Sequence, residues 1–356
     1  MDTETRNIKS ILSSGIRAIS DFLYTHKKTI ITVVIVLLFL LPFVKPGRYF
    51  VRISSLIFIY AMLALSLNLV TGYLGQTSMG HAALFCVGAY VSALLSVRVG
   101  GNFYTSLIGG TFAAALAGAF LGIVTVRLSG SYFAITTLGF AEVIRMISLN
   151  WETVTYGAMG VKNIPRPTFF GIELTNNNYG TYWISLVTFL AVLLFCVLLI
   201  KSKFGRAIIA IREDNLAATL MGINEKVYRV ATIAIAGALA GVAGSLYSHT
   251  NQYIDPNTFS FDVSTIILSL VIFGGMGTIS GPILGAIVLI SFPEVLRSFQ
   301  QYRFIVYGFI LVLMMRFRPQ GVLGGLSNRP CEMPKGVKLP EIDYVISSKK
   351  DKAKEV

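Results

Sequence analysis

The amino-acid sequence predicts an all-α fold, a polytopic transmembrane helical bundle of about ten spans, with a range of eight to ten, and a cytoplasmic helix between two of them. Two observations support this prediction. Of the 356 residues, 54% are hydrophobic, and the mean hydropathy is +0.70, which is more apolar surface than one water-soluble core needs. The apolar runs also lack the alternation of a transmembrane barrel, so helices must satisfy the backbone in hydrocarbon.

The spans follow from the apolar runs in chain order. A basic segment at 1–28 precedes the first span at 29–44, after which no signal-peptide cleavage site occurs. Nine further spans are predicted at 53–70, 78–97, 104–126, 132–149, 181–200, 230–248, 263–275, 282–296 and 304–315. The run at 78–97 is either a span or a re-entrant segment, and 263–296 is either two spans or two short half-spans around a glycine-rich break.

Charge predicts the orientation of the bundle. Of the 30 basic residues, five lie in 1–28, six in 201–229 and nine from Arg316 onward. The positive-inside rule therefore places all three segments and both termini in the cytoplasm, with Lys45, Arg48 and Arg52 as exceptions. No aromatic and basic reading surface accompanies the charge, which argues against nucleic-acid binding.

These boundaries divide the chain into three parts. They are the basic amino-terminal segment 1–28, the membrane domain 29–326, and a basic tail at 327–356 that is expected to be cytoplasmic and disordered.

Residues 201–229, which we call the polar island, carry nine charged residues between two apolar runs. Gly205 is predicted to break the incoming helix, and 206–221 favours a new one. Ile209, Leu216 and Leu220 would form one apolar stripe on that helix, and Gly222 would end it as a left-handed cap. The island is either a docking helix for a soluble partner or a connecting loop whose charges are solvated.

Residues for catalysis or metal binding are sparse. His26, His81 and His249 have no second ligand at helical spacing, and the three cysteines are widely separated. The phosphate-binding pattern GxxxxGK[ST] is absent from the sequence. We therefore expect no enzymatic activity, no metal and no bound cofactor in this chain.

Two polar features lie within the predicted spans. Glu142 and Arg145 stand three residues apart on one helix and either stabilise the fold as a pair or line an aqueous path. The second feature is the segment 72–81, which is either a close helix contact with a core histidine or a substrate-contacting break. Its pattern Gly72-x-x-Gly75-x-x-Ser78 has the same form as a pattern that begins at Gly274, and seven positions are too few to decide whether the chain is duplicated.

Seven segments, in this order, resemble the permease subunits of ABC importers for branched-chain amino acids, specifically the LivM type. They are LNLVTGYLGQTSMGHAALFCVGAY from Leu67, RLSGSYFAITTLGFAEVIR from Arg127, GVKNIP from Gly160, GRAIIAIREDNLAATLMGI from Gly205, AGALAGVAGSLY from Ala236, GGMGTISGPILGA from Gly274 and RPQGVLGG from Arg318. The resemblance covers about residues 53–325.

The resemblance implies a multi-pass protein of a prokaryotic inner membrane. Its partners would be the lipid bilayer, a LivH-like second permease, an extracytoplasmic substrate-binding protein and two ATP-binding subunits, which would hold ATP and Mg²⁺. The polar island would be the cytoplasmic coupling segment, with docking residues Gly205, Arg206, Arg212, Glu213, Asp214, Ala217, Ala218 and Gly222.

A substrate path is expected along polar groups of two resembling segments: Asn68, Gln76, Ser78, His81, Thr136, Thr137, Glu142 and Arg145. Two alternatives stay open. Related permeases carry urea or other small amides and acids, and the urea type tends to differ at the position of Asn68. An ion-coupled secondary transporter would account for Glu142 and Arg145 but not for the polar island.

Overall fold

The computed structural model describes residues 47–169, 172–173, 179–295 and 321–323, together with the single positions 308, 312 and 316. The predictions for 1–28, for the span at 29–44, for almost all of 304–315 and for the tail at 327–356 lie outside the described residues.

The described residues are mostly helical, which confirms the predicted fold class. The helices are α1 Arg48–Asn68, continued by a π-helical turn Leu69–Tyr73, α2 His81–Arg98, α3 Phe103–Thr125, α4 Gly130–Asn150, α5 Glu152–Thr155, α6 Gly180–Lys201, α7 Lys203–Glu213, α8 Asn215–Leu220, α9 Glu225–Asn251, α10 Phe261–Gly274 and α11 Ser280–Val295. Short 3₁₀ turns occur at Gly157–Met159 and Pro256–Phe259. Two two-residue strands, β1 Thr168–Phe169 and β2 Ile172–Glu173, pair antiparallel.

Six helices of the described part are long and apolar enough to cross a membrane: α1 with its π-helical turn, α2, α3, α4, α6 and α9. The apolar helices α10 and α11 are shorter. Eight of the ten predicted spans thus correspond to a helix, and most predicted boundaries lie within a few residues of the helix ends. The run at 78–97 becomes an 18-residue helix that starts at His81, and 263–296 becomes two short helices around a turn.

The long helices alternate between two ends of the bundle. At the end we call the loop end, Arg98 Nη2 donates to the carbonyls of Thr153 at 2.5 Å and Val154 at 2.8 Å. Val161 and Ile254 also exchange backbone hydrogen bonds there. At the opposite end, which we call the island end, the polar island lies beside the turns at 74–80 and 126–129.

The core is built around α1, α2 and α9. Within the apolar window of each span, 78% of α1, 67% of α2 and 61% of α9 is buried, against 28% for α3, α4 and α6. On α9, Gly241 lies so close to α3 that an added Cβ would come within 2.6 Å of Ala114 Cβ. Small residues therefore let α9 pack directly on its neighbours, as is common between membrane helices. The exposed sides of α3, α4 and α6 are left for lipid or another subunit.

The polar island forms two helices, so the prediction of a single helix was wrong. The break falls at Asp214, whose backbone is extended and whose carboxylate accepts from Ala217 N at 3.0 Å as the amino-terminal cap of α8. This break separates Ile209 from Leu216 and Leu220, and the predicted common stripe does not form. Gly222 follows the carboxyl-terminal cap residue Met221 of α8 and has φ +84°, the left-handed conformation expected there.

Gly205 does not break the incoming helix. Instead, α6 ends at Lys201, and Ser202 caps α7 by accepting from Gly205 N at 3.4 Å. Gly205 lies inside α7, where an added Cβ would overlap the carbonyl group of Ile200. The glycine is thus needed for the close approach of α7 to the end of α6, not for a break.

Candidate functional site

The most unusual backbone of the described bundle lies at the island end of α1. The five buried residues of Leu69–Tyr73 form a π-helical turn, and the chain then leaves the helix with Gln76 N donating to Val70 O at 3.0 Å. Single π-helical turns are rare and frequently mark functional positions.

Asn68 joins this turn to the turn between α10 and α11. Its Nδ2 donates to Thr278 O at 2.7 Å, and its Oδ1 accepts from Gly277 N at 2.9 Å. The side chain is 1% exposed. Both polar atoms of the predicted path residue are therefore engaged with backbone of the same chain.

The two glycine patterns noted in the sequence meet at this point, and we call 72–75 together with 274–278 the glycine break. A Cβ on Gly277 would lie 3.2 Å from Gly72 O, and one on Gly72 would overlap Gly277 N. Residues 321–323 close the same region, with Val322 N donating to Phe273 O and Leu323 N to Gly274 O, both at 3.0 Å. Each pattern lies at the island-end turn of a pair of helices, as a duplicated unit would place it.

Arg212 reaches the glycine break from the polar island. Its Nη1 donates to Gly72 O at 2.7 Å. A Cβ on Gly75 would lie 2.9 Å from Arg212 Cγ, and one on Gly277 would lie 2.9 Å from Nη1. The predicted docking residue thus contacts the membrane domain of its own chain.

Ser78, His81 and Thr137 come together at the start of α2. Thr137 Oγ1 accepts from Met79 N at 3.1 Å, Ser78 Oγ accepts from Gly80 N at 3.4 Å, and His81 Nε2 lies 2.6 Å from Ser66 Oγ. All three predicted path residues are buried, and each satisfies a neighbouring polar group. Ser78 and Thr137 thus hold the backbone just before α2, and the free N–H of Ala82 in its first turn donates to Ser264 Oγ at 3.2 Å.

Gln76 is buried nearby and meets Arg229 of α9. With the amide oriented to satisfy both groups, its oxygen accepts from Arg229 Nη1 at 2.8 Å. Arg229 also pairs with Glu225 at 2.5 Å and donates to Val126 O at 3.4 Å and Leu128 O at 3.3 Å. One guanidinium therefore joins α9 to the turns at 74–80 and 126–129.

Glu142 and Arg145 form an ion pair at the opposite end of the bundle. Arg145 Nε lies 3.1 Å from each Glu142 carboxylate oxygen, and Arg145 Nη1 donates to Asn257 Oδ1 at 3.3 Å. Their side chains are 42% and 19% exposed, respectively. Thr136, on the same helix, donates to Tyr132 O of its own helix at 2.8 Å. The eight predicted path residues thus divide between two regions and do not form one site.

The polar island also exposes three apolar side chains, on and directly after α8. Leu216, Leu220 and Met221 are 72%, 79% and 83% exposed. Ala217 lies beside them and is exposed, but Ala218 is 5% exposed and packs into the hydrophobic core.

The eight predicted docking residues are accordingly not equivalent. The exposed members apart from Arg212 are Arg206, Glu213, Asp214, Ala217 and Gly222, whereas Gly205 and Ala218 are buried. A partner on the island surface can reach only the exposed residues directly.

His249 is the centre of a polar cluster that the sequence did not single out. This buried side chain lies at the loop end, with Nε2 3.1 Å from Ser92 Oγ and Nδ1 2.7 Å from Pro165 O. Because these partners are 157 and 84 residues away in sequence, no local pattern identifies the cluster. No group of three potential metal ligands occurs among the described residues.

Comparison with known proteins gives one consistent result. The family described as branched-chain amino acid transport system, permease component, matches residues 49–315. The high-affinity branched-chain amino acid transport system permease protein LivM of Escherichia coli is 36% identical over 320 residues, covering 83% of this chain and 75% of that protein. LivH of Salmonella typhimurium is 27% identical over 74% of this chain and 91% of its own length. A probable LivM of Methanocaldococcus jannaschii is 24% identical over 74% of this chain. No solved structure matches.

Proposed function

The chain belongs to the family of permease components of branched-chain amino acid transport systems, and we propose that it moves branched-chain amino acids across the membrane by alternating access driven by separate ATPase subunits. The observation that carries this proposal is the 36% identity to a LivM permease over 83% of the chain. The chain is a multi-pass membrane protein and a transport subunit, not an enzyme.

The polar island is the proposed docking surface for the ATPase. Leu216, Leu220 and Met221 expose apolar side chains at the island end, where soluble protein can cover them. Exposed apolar groups that cluster between charged residues are typical of interaction sites. ATP and Mg²⁺ would be bound by the two partner ATPases, whose closure would push on α7 and α8.

A LivH-like protein is the proposed second permease, because LivH proteins are themselves similar to this chain over 91% of their length. Two related chains that face each other could enclose a path that neither forms alone. The exposed sides of α3, α4 and α6 provide surface for such a contact. An extracytoplasmic binding protein would deliver the substrate at the loop end.

Seven of the eight predicted path residues fall into two groups in this arrangement. Glu142 and Arg145 lie toward the loop end, where cargo would enter. Asn68 contacts the glycine break, and Gln76, Ser78, His81 and Thr137 lie in the same half of the bundle. We propose that the glycine break is the inner closure of the path, and that cytoplasmic ATPases act on it through the polar island.

Purification from native membrane, followed by reconstitution, tests the proposal. We expect a tagged chain to retain a second permease and ATP-binding subunits. In proteoliposomes that also contain the binding protein, leucine uptake should require ATP. Uptake that continues without ATP and is lost with the proton gradient would instead favour the ion-coupled alternative. Uptake of urea without leucine uptake would favour the small-amide alternative.

A further inference from the structure

Arg212 is placed differently from the other exposed residues of the polar island. Its Nη1 donates to Gly72 O at 2.7 Å, a contact that spans 140 residues of sequence. Gly72 lies in the π-helical turn of α1, and all five residues of that turn are buried. Arg212 therefore joins a surface helix to the buried end of the central span.

The contact extends beyond one hydrogen bond. The Arg212 stem lies against Gly75, and its guanidinium lies against Gly277. Gly277 N is in turn held by Asn68 Oδ1 at 2.9 Å. A single side chain thus contacts both halves of the glycine break, and glycine leaves the space that it occupies at each.

From this geometry, and on the basis of the function proposed above, we infer that Arg212 is not a docking residue but the positioning residue that transmits movement of the polar island to the glycine break. A docked ATPase moves α7, and α7 ends at Glu213, directly after Arg212. Because Arg212 is bonded to Gly72 and packed on Gly277, the two backbone segments move with α7 as one unit. Without Arg212, α7 can move while the glycine break stays in place.

The first test distinguishes a role of Arg212 in docking the ATPase from a role in transmitting movement to the glycine break. In the Arg212→Ala variant, ATP-binding subunits should co-purify as they do with the wild type, because the guanidinium is bonded within its own chain. ATP-dependent uptake should fall about tenfold or more, since a hydrogen bond from a charged donor shifts an equilibrium by about that factor. Arg212→Lys keeps one charged donor and should recover part of the uptake.

The second test replaces the contact with a covalent bond. A Cβ on Gly75 would lie 3.6 Å from Arg212 Cβ, within the range of about 3.5 to 4.5 Å found in disulfides. In a background with Cys331→Ser, the double variant Gly75→Cys and Arg212→Cys should crosslink when oxidised. Oxidation should raise uptake above that of Arg212→Cys alone, and reduction should remove the gain. The Gly75→Ala variant is the control for strain, because any side chain at this residue, where φ is +79°, strains the backbone.

Three results would overturn the inference: loss of the ATP-binding subunits from Arg212→Ala, full uptake by that variant, or a crosslinked protein whose uptake is no higher than that of Arg212→Cys. Failure of the two cysteines to crosslink would overturn the geometry itself. The proposed function fails separately, when the wild-type chain retains no ATP-binding subunit.

Discussion

Asn68 and Thr278 are joined by a 2.7 Å hydrogen bond between the side-chain amide of one and the backbone carbonyl of the other, across 210 residues. The same amide accepts from Gly277 N, so one buried side chain satisfies two backbone groups in the turn between α10 and α11. The central span and the short helices are therefore connected by hydrogen bonds as well as by apolar packing.

Replacing Asn68 with Ala should destabilise the protein. The change leaves the Gly277 N–H and the Thr278 carbonyl without this partner in a buried region, at a cost of about 1 to 3 kcal/mol for each group. Thermal aggregation in detergent should begin at a lower temperature than in the wild type. Asn150→Ala is the matched control, because Asn150 is exposed and bonds only within its own helix, to Met146 O. Equal aggregation temperatures for the two variants would contradict the expectation.

Substitutions at two neighbouring alanines distinguish an effect on folding from an effect on docking. Ala218 is buried, so Ala218→Trp should overpack the base of α8 and reduce stability by about 1 to 3 kcal/mol. Ala217 is exposed, so Ala217→Trp should keep the wild-type stability and lose bound ATPase and uptake. Thermal stability and co-purification measure the two effects. Normal uptake by the Ala217→Trp variant would remove this surface from the docking site.

The helix contacts at Gly241 of α9 should not tolerate a larger side chain. A Cβ on Gly241 would come within 2.6 Å of Ala114 Cβ and 2.9 Å of Gly110 O, so Gly241→Val should prevent stable insertion or lower the aggregation temperature strongly. Gly139→Ala is the control, since no atom lies within 4 Å of the added Cβ. It should be neutral or slightly stabilising, because alanine favours a helix by about 1 kcal/mol relative to glycine.

Glu142 and Arg145 can be tested as members of the path. Glu142→Gln keeps the size of the side chain and removes the charge that Arg145 faces. If the pair contacts cargo, the substrate concentration for half-maximal uptake should rise at unchanged expression. Arg145→Gln should additionally release Asn257 and increase proteolysis of the loop at 251–260. Unchanged uptake in the Glu142→Gln variant would exclude Glu142 from the path.

Orientation can be measured with single cysteines at the two ends. Asn257→Cys should react with an impermeant thiol reagent applied from outside the cell. Met221→Cys, whose position is 83% exposed, should react only in inverted membranes. The reverse pattern would refute the orientation derived from basic residues.

The spans were predictable because hydrophobic length is a local property of the sequence. The cap at Asp214 is also readable from the sequence, since an aspartate that precedes a run of helix formers is a common amino-terminal cap, whereas helix propensity alone predicts a single long helix. The direction of Arg212 was not predictable, because charge alone does not distinguish a side chain that faces solvent from one that binds a carbonyl 140 residues away. The positive-inside rule counts Arg212 and Arg229 with the other basic residues, although both hold parts of the bundle together.

The short helix α10 does not match the length of the central span that it meets at the island end. The 14 residues of α10 rise about 21 Å at 1.5 Å per residue, against about 30 Å for the hydrocarbon core of a bilayer. The turn at 275–279 nevertheless lies level with the island end of a 25-residue span, Tyr49–Tyr73, because Asn68 and Gly72 contact it. The shortfall of α10 therefore falls at the loop end, where the irregular stretch 252–255 and a 3₁₀ turn precede the helix. There Ile254 is 0% exposed and exchanges backbone hydrogen bonds with Val161, so protein satisfies the backbone at a depth where lipid offers no hydrogen-bond partner.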